Sequence, residues 1–536
     1  MHTIRRALVM ASALMISVVQ ASAEEAKPAP LAKELPPKEP SLHVQCDGMP
    51  NNMSGGETAV RLLALTAVIG LLAPPPEGAD PAKRKFGTEG VDVCTRVLTG
   101  DKPENNVNRR LDLIIARAIH QIEAKQYDAA LADVAMARAE AKAAGLMDDP
   151  YFRRSRALSF DQIEAAALVR LQRWDDAQNR SLANVQLVQY SLPLMLQVKS
   201  YAPFVRAPLD ADAAYQDHLA RLYPAFLISR SFRYHDLGKF ADAARMAEDW
   251  VQYDESFKGR KNNTQSPWAR ASAALAHGLA GEWDAAAARA ADARQLDRQL
   301  VADGTPEKSR SSTAELLDLY EVARLAHQGD LNASRRMFTG RSSWLEAPFG
   351  ALVEINARLR IGAKPEELIG TLAKTPDQMW AERRETGLAE LIAKDKDNKT
   401  LFGLTVPYVK AGGFEGLSGK VWKLDKSKII LKRDAKVIED PSEELLFLYQ
   451  VESNGRFDAW MLHAALIAQS RGLKGLIFMP QRNSANSIFV RLGNPGDPKL
   501  PASLFIDAQD VIATLSPVIP DPLTLKARRE AVKPAR

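Results

Sequence analysis

The short pattern that decides the fold is Gln126-Tyr127-Asp128-Ala129-Ala130, in which a small residue follows an aromatic residue by three positions. Another small residue lies nine positions before the aromatic. The same spacing occurs four times, in the sets Ala118/Tyr127/Ala130, Ala165/Trp174/Ala177, Ser231/Phe240/Ala243 and Ala274/Trp283/Ala286. Small residues let two helices approach closely, and the ring fills the space above their contact. The pattern therefore predicts helix pairs that stack on one another.

The residues around the first copy follow the period of a helix. Leu111, Ile114 and Ile122 lie on one face of a predicted helix. We expect a turn at residues 125–126 and a second helix that ends near Gly145. Because one such pair cannot bury both of its faces, it needs a neighbouring pair.

These runs resemble the tetratricopeptide-repeat (TPR) family, whose unit contains a small residue, a turn, an aromatic followed by an acidic residue, and a second small residue. The matching runs are Gln126–Ala130, Arg173–Ala177, Gly238–Ala243, Gly281–Ala286 and Gly329–Ser334, where Leu331 replaces the aromatic. The resemblance covers roughly residues 106–345. It implies a mainly α fold, an α-solenoid of TPR-like helix pairs within a repeat domain at 106–395.

The spacing between the copies departs from that family. Its period is about 34 residues, whereas the five ring positions here lie 47, 66, 43 and 48 residues apart. We therefore expect longer helices or insertions, with the widest gap between Trp174 and Phe240. The alternative is an alanine-rich helical domain that matches the pattern by chance.

The resemblance also implies a binding surface, because partners of the family bind the inner face formed by the first helices. Carried onto this chain, that face contributes candidate partner-binding residues with polar or large side chains: Asp112, Glu123, Gln162, Arg170, Phe232, His235, Asp236 and Trp268. The alternative is that several of them pack on the neighbouring repeat or face water.

The N-terminus has the pattern of a secretory signal peptide over residues 1–23. Arg5 and Arg6 precede the apolar stretch 7–19, and the small residues 21–23 predict cleavage after Ala23. A membrane anchor is the alternative, but about 20 apolar residues are needed to span a bilayer. The prediction is therefore a periplasmic protein, followed at 24–44 by a proline-rich disordered leader.

Cys46 and Cys94 are the two cysteines of the chain. In an oxidising compartment such a pair predicts a disulfide, here tying an N-terminal helical cap at residues 45–105. A redox pair is more typical of Cys-x-x-Cys, and two cysteines alone cannot complete a zinc site. The apolar stretch 59–73 within this loop contains Arg61 and ends at three prolines, which favours a buried helix over a membrane span.

After residue 400 the pattern changes to that of a small α/β domain, predicted over 400–524. Strand-like segments occur at 419–424, 428–432, 445–451, 476–479 and 487–490, and helices are predicted at 458–470 and 507–515. The runs 472–478 and 507–515 resemble small alphaproteobacterial envelope lipoproteins, although this chain lacks their lipid-bearing cysteine. That resemblance implies a bacterial envelope location and no activity. Residues 525–536 are predicted to be a basic disordered tail.

No catalytic or metal-binding motif is recognisable. The histidines are scattered singly, without His-Glu-x-x-His, and the glycine-rich run 413–420 has the wrong spacing for a phosphate loop. Without Arg5 and Arg6 the formal net charge falls from +5 to +3, which gives no electrostatic reason to expect nucleic-acid binding. We therefore expect no cofactor, no metal and no integral membrane span after signal cleavage.

Together these patterns predict an exported, non-catalytic protein–protein interaction scaffold of the bacterial periplasm or envelope, with protein partners there. The alternative is a small-ligand-binding or enzymatic α/β domain that the repeats dock to a complex. Its site would lie near the ends of strands 445–451 and 476–479, or in the polar loop 481–487.

Overall fold

The computed structural model describes residues 39–51, 77–183, 185–198, 210–224, 226–255, 266–306, 310–394, 399–405, 417–426, 428–431, 439–440, 445–449, 456–480, 487–497 and 500–531. The predicted signal peptide, residues 24–38 of the leader, the apolar stretch 59–73 and the loop 481–486 lie outside these residues.

The described chain is mainly helical, with small sheets near its C-terminal end, as the sequence predicted at that level. Its longer helices are Leu42–Asp47, Gly87–Thr99, Val107–Glu123, Tyr127–Ala143, Arg156–Arg170, Trp174–Leu182, Leu192–Val198, Asp210–Leu222, Phe226–Asp236, Phe240–Glu255, Pro267–Ala280, Trp283–Ala302, Ser311–His327, Leu331–Gly340, Phe349–Arg360, Pro376–Lys394, Arg456–Ser470, Ala508–Leu515 and Pro522–Ala531. Shorter ones are Pro150–Arg153, Val185–Val188, Lys399–Phe402 and Ser418–Val421.

Five helical hairpins occupy the predicted repeat positions. They are hairpin 1 (Val107–Glu123 and Tyr127–Ala143), hairpin 2 (Arg156–Arg170 and Trp174–Leu182), hairpin 3 (Phe226–Asp236 and Phe240–Glu255), hairpin 4 (Pro267–Ala280 and Trp283–Ala302) and hairpin 5 (Ser311–His327 and Leu331–Gly340). In each hairpin, the second helix begins at the ring position of the pattern, or at Leu331 in hairpin 5. The predicted helix pairs are therefore present.

All five hairpins turn in the same way. The residue two positions before each second helix has a positive φ: 62° at Lys125, 59° at Gln172, 68° at Gly238, 84° at Gly281 and 87° at Gly329. The next residue donates its backbone N–H to the carbonyl five positions earlier, at 2.7 to 3.0 Å. These are the marks of a Schellman turn, which satisfies carbonyls left unpaired at the end of a helix. One local geometry thus recurs at all five ring positions.

The small residues of the pattern lie at the contacts between paired helices. All eight are completely buried: Ala118, Ala130, Ala165, Ala177, Ser231, Ala243, Ala274 and Ala286. Ser231 Oγ donates to the Ala243 carbonyl at 2.8 Å. Ser334 Oγ makes the same 2.8 Å contact with the Val322 carbonyl across the equivalent twelve positions of hairpin 5.

The five ring-position residues are each half-buried and pack against a hydrophobic core, the first two in one core and the last three in another. Trp283 also stacks on His327 of hairpin 5, with ring centroids 4.3 Å apart. Successive hairpins pack together within two groups, hairpin 1 on hairpin 2, and hairpins 3, 4 and 5 in order.

The long interval between hairpins 2 and 3 receives the C-terminal sheet unit. Helices Val185–Val188, Leu192–Val198 and Asp210–Leu222 share one hydrophobic core with the sheet and its helices, in which Tyr215 and Leu219 meet residues such as Phe478. At this seam, Arg154 Nη2 donates to Asp458 Oδ2 at 2.6 Å, and both side chains are buried. The interruption of the repeat is therefore a docking site within the chain.

The sheets are small and their pairs are antiparallel. Strands β1 (Trp422–Asp425) and β2 (Lys428–Leu431) form a two-stranded ribbon. The larger sheet has the order β3-β4-β6-β5-β7, from β3 (Glu439–Asp440), β4 (Leu445–Tyr449), β5 (Gly475–Pro480), β6 (Ser487–Gly493) and β7 (Ile506–Asp507). Asp507 caps helix Ala508–Leu515 by accepting from the N–H groups of residues 509 and 510.

The N-terminal cap is fixed to hairpin 1. The predicted disulfide is present, with 2.05 Å between the sulfur atoms of Cys46 and Cys94. His120 Nε2 lies 2.8 Å from the Cys46 carbonyl, and a Cβ on Gly90 would lie 2.4 Å from the His120 ring. Arg109 Nη2 donates to Asp47 Oδ1 at 2.9 Å. The disulfide thus joins the two cap helices to each other, and buried polar contacts hold them on the first helix of hairpin 1.

Two segments follow the hairpins and the sheet unit, respectively. Within 345–395, two short 3₁₀ turns at Pro365–Glu367 and Gly370–Ala373 separate helices Phe349–Arg360 and Pro376–Lys394. The predicted disordered tail begins too early, because helix Pro522–Ala531 extends through most of it. Leu525 is buried there, and Arg528 Nη1 donates to the Pro517 carbonyl at 2.9 Å. The basic residues of this segment suggested a disordered tail, although its buried Leu525 packs on the protein.

Candidate interaction surface

The eight predicted partner-binding residues do not form one open groove. Asp112 is half-exposed and forms an ion pair with Arg156 of hairpin 2. Arg170 folds back, with its Nη1 donating to the Ala166 carbonyl of its own helix at 2.8 Å. Asp112 lies on hairpin 1 and Arg170 on hairpin 2, and the cap covers part of the first helix of hairpin 1.

Three of the predicted residues are inaccessible to a partner in this structure. Glu123, Gln162 and His235 are 1%, 3% and 1% exposed. Glu123 Oε2 accepts from the Gly87 N–H at 3.1 Å, which joins hairpin 1 to the cap. Polar side chains on the inner face of a helix need not reach water when another segment covers them.

His235 illustrates this burial. Its ring lies 5.8 Å from that of Phe240, and neither ring nitrogen has a hydrogen-bond partner among the described residues. Burial lowers the pKa of His235 to about 3, so the side chain is neutral at pH 7. It therefore acts as a packing residue within hairpin 3.

The segment that covers hairpin 3 is helix Phe349–Arg360, named the returning helix because it packs back on the first helices of hairpins 3 and 5. A Cβ on Gly350 would lie only 2.2 Å from the His235 carbonyl oxygen. The Phe349 ring meets Trp380 edge-on at 4.8 Å, and Arg383 lies over the same ring at 4.4 Å. The returning helix therefore covers part of the inner face that the first helices of hairpins 3 and 5 form.

Two carboxylates hold the start of the returning helix. Asp236 Oδ1 accepts from the Gly350 N–H at 2.9 Å. Glu315 Oε1, from hairpin 5, accepts from the N–H groups of Glu346 and Ala347 at 2.6 and 2.9 Å. Such acceptors satisfy unpaired N–H groups and suit the positive end of the helix dipole. Asp236, predicted to bind a partner, thus binds the protein's own helix.

Burial and two neighbouring arginines have opposite effects on the ionisation of Asp236. Burial raises the pKa of Asp236, while Arg383 and Arg233 act in the opposite direction. Arg233 Nη1 lies 3.6 Å from Asp236 Oδ2 on the same helix. The first turn of the returning helix is therefore bound by a carboxylate within a group of charged side chains.

Phe232 and Trp268 are the predicted aromatic residues that remain half-exposed. They come from the first helices of hairpins 3 and 4, and their ring centroids lie 6.2 Å apart. Adjacent rings with apolar bodies on neighbouring hairpins provide the kind of anchor that protein interfaces favour. We name Phe232 and Trp268 the aromatic pair.

One charged network between hairpins 3 and 4 was missed by sequence reasoning. His277 lies 2.9 Å from Glu248 Oε1 and 2.5 Å from Glu282 Oε2 through its two ring nitrogens. Arg289 binds both Glu248 oxygens, at 2.8 and 2.7 Å. Burial acts to raise the pKa of Glu248, but hydrogen bonds from His277 and Arg289 lower it to about 2. No local pattern identifies Glu248 as the partner, because hairpin stacking brings it there.

A second polar group lies at the seam with the sheet unit. Tyr190 adopts a positive φ of 67°, and its hydroxyl donates to Asp510. The ring of His218 meets the Tyr190 ring edge-on at 6.3 Å. Burial, aided by Arg221, lowers the pKa of His218 to about 4. A non-glycine residue in this backbone region is strained, and such strain often accompanies functional sites.

Among the described residues, no group of three or more His, Cys, Asp or Glu side chains is arranged to hold a metal ion. Within the same part of the chain, no helix is both long and apolar enough to cross a membrane. The glycine-rich run 413–420 is described only from residue 417 onward, where Lys420 lies in an exposed position of a short helix.

No protein-family model, curated protein or solved structure matches this chain.

Proposed function

We propose that this chain is an exported, non-catalytic interaction scaffold of the bacterial periplasm or envelope, built as a TPR-like α-solenoid. The observation that carries the proposal is the recurrence of one Schellman turn, with a half-buried residue at the same ring position, in five hairpins. Repeated hairpins stack into extended surfaces that suit protein partners. The signal-peptide pattern and the disulfide support export to an oxidising compartment.

The proposed contact surface is the aromatic pair, with Arg170 and Asp112 as secondary contacts. The returning helix covers His235 and Asp236 beside it, so a partner would bind at the edge of the covered groove. Large rings held between neighbouring helices lose little conformational freedom on binding, which favours them as anchors.

The test is crosslinking of the protein in its host envelope, followed by identification of the recovered partners. Trp268→Ala and Arg170→Ala should reduce recovery of a specific partner, with the larger reduction for Trp268→Ala. Phe86→Ala, at an exposed aromatic residue of the cap, is the matched control and should leave recovery unchanged. Equal recovery with all three variants, or the absence of a specific partner, would contradict the proposal. Sequencing the exported chain tests cleavage after Ala23.

A second candidate function is small-ligand binding or catalysis at the sheet unit, docked to a complex by the repeats. The strained Tyr190, its contact with Asp510 and the adjacent His218 favour this candidate. Thermal-shift screening with metabolites and glycans tests it. A ligand that stabilises the native chain but not Tyr190→Phe or His218→Ala would favour the seam as its binding site.

A further inference from the structure

The ribbon of β1 and β2 carries exposed apolar residues near its tip. Its register pairs Trp422 with Leu431 and Leu424 with Ile429, and strand alternation places these four side chains on one face. Trp422 and Leu431 pack on the core at the base of the ribbon. By contrast, Leu424 and Ile429 are 49% and 37% exposed, and Ile430 on the opposite face is 40% exposed. An apolar face that begins in the core therefore continues into water.

Lysines surround this tip. Residues 418–431 contain Lys420, Lys423, Lys426 and Lys428 against the single acidic residue Asp425, a formal net charge of +3. All four lysines are exposed, and none has an ion-pair partner among the described residues. Their charges are therefore not neutralised within the described protein.

We propose that this lysine-flanked tip docks on an anionic phospholipid surface of the envelope. Apolar side chains can enter the boundary between headgroups and acyl chains, while lysines are attracted to anionic headgroups. Strands β1 and β2 are already paired with each other, so docking on a membrane requires no new strand pairing. This inference goes beyond the scaffold function and rests on the proposed export to the envelope.

The geometry favours a membrane over the other occupants. Leu424 and Ile429 extend from one face of the ribbon, whereas on the other face Ile430 is accompanied by Lys423, Asp425 and Lys428. A ribbon with one apolar and one mainly basic face suits a membrane interface, where apolar side chains enter the acyl boundary and lysines meet the headgroups. A second copy of the ribbon would bring lysines against lysines, which is unfavourable.

The helix beside the ribbon has the same character. Helix Pro522–Ala531 packs next to β1, and both Leu523 and Lys526 on it are exposed. It therefore widens the apolar and basic surface without adding a covering segment over the tip.

The experiment measures co-sedimentation of the processed, exported chain with vesicles. One set contains phosphatidylglycerol and phosphatidylethanolamine, and the other contains only phosphatidylcholine. We expect binding to the anionic vesicles that weakens with added salt. Leu424→Ser with Ile429→Ser should lower the partition coefficient roughly tenfold or more, because the tip loses its apolar area. Lys423→Gln with Lys428→Gln should lower it about 25-fold, at about fivefold for each lysine.

Matched controls replace similar residues elsewhere. Ile361→Ser with Ile369→Ser changes two side chains that are 73% and 57% exposed, and Lys102→Gln with Lys239→Gln removes two exposed lysines. These variants should bind as the native chain does. An unchanged melting temperature shows that the ribbon variants are folded. A polarity-sensitive fluorophore on Asp425→Cys should brighten with anionic vesicles even if a double variant is unstable.

The proposal is overturned if the native chain does not bind anionic vesicles, or if the ribbon and control variants bind equally well. It is also overturned if the ribbon variants change self-association in sedimentation velocity without changing vesicle binding, since the tip would then contact a second copy. The proposal would likewise be contradicted if the ribbon variants lost binding to an acidic protein partner but still bound vesicles as the native chain does.

Discussion

The first-helix faces at the two ends of the hairpin series are covered in different ways. At hairpin 1 the cover is the cap, whose two helices are joined to each other by the Cys46–Cys94 disulfide and which makes buried contacts with Arg109 and His120. At hairpins 3 and 5 the cover is the returning helix, held by hydrogen bonds to Asp236 and Glu315 and by close packing at Gly350.

This difference teaches where the molecule can change. A disulfide persists in an oxidising compartment through local fluctuations, whereas hydrogen bonds and packing open with the local stability of the segment. We therefore expect the two cap helices to stay together on hairpin 1, and the returning helix to be the cover that exchanges more readily. The experiments below separate the two regions.

The largest expected effect comes from removing the disulfide. Cys46→Ser with Cys94→Ser frees a loop whose ends are 48 residues apart, and the chain-entropy model gives a destabilisation of about 4 kcal/mol. Urea unfolding should show this loss. Hydrogen exchange should accelerate in Gly87–Thr99 and remain unchanged in the returning helix. Equal acceleration in both regions would show that the two covers open together.

The next effect comes from crowding the returning helix. Gly350→Ala places a methyl group against the backbone carbonyl of His235, so we expect a loss of about 2 to 3 kcal/mol and faster exchange in Phe349–Arg360. Gly340→Ala is the matched control, because a Cβ there meets nothing within 4 Å. Gly90→Ala is the reciprocal variant, and it should loosen the cap instead. Similar stability of Gly350→Ala and Gly340→Ala would mean that the returning helix is not tightly packed.

The hairpins could be predicted because their information is local. Ala118, Tyr127 and Ala130 lie within one helix–turn–helix unit, so their spacing alone indicates the turn and the close helix contact. The disulfide followed from cysteine number and compartment. The strands of the sheet unit followed from short apolar runs between turn residues.

The returning helix and the seam with the sheet unit could not be predicted, because they join distant parts of the chain. Asp236 contacts Gly350 across 114 residues, and Arg154 contacts Asp458 across 304. The sequence pattern therefore predicted that Asp236 and His235 line an open groove, whereas in the structure the returning helix covers them. A polar residue on an inner helix face does not reveal whether its eventual partner is another protein or the same chain.

The smallest expected effect is the pH dependence that His235 of hairpin 3 contributes to stability. Burial holds the pKa of His235 at about 3 in the folded state, below its usual value of 6.5. Between these values the unfolded chain binds a proton that the folded chain excludes, so stability rises with pH across this window and falls on acidification. The slope due to this residue is at most about 1.4 kcal/mol per pH unit.

His235→Leu removes the titrating group while keeping an apolar side chain at the site. Urea unfolding of both proteins at pH 7 and pH 5 should show the native chain losing stability, relative to the variant, as the pH falls. His43 in the cap provides the comparison: burial also lowers its pKa, but this side chain is less completely buried, so His43→Leu should change the slope less. Parallel pH profiles for native and His235→Leu proteins would mean that folded His235 accepts a proton near its usual pKa. The returning helix would then leave room for water, and its cover over hairpin 3 would be looser than that of the cap over hairpin 1.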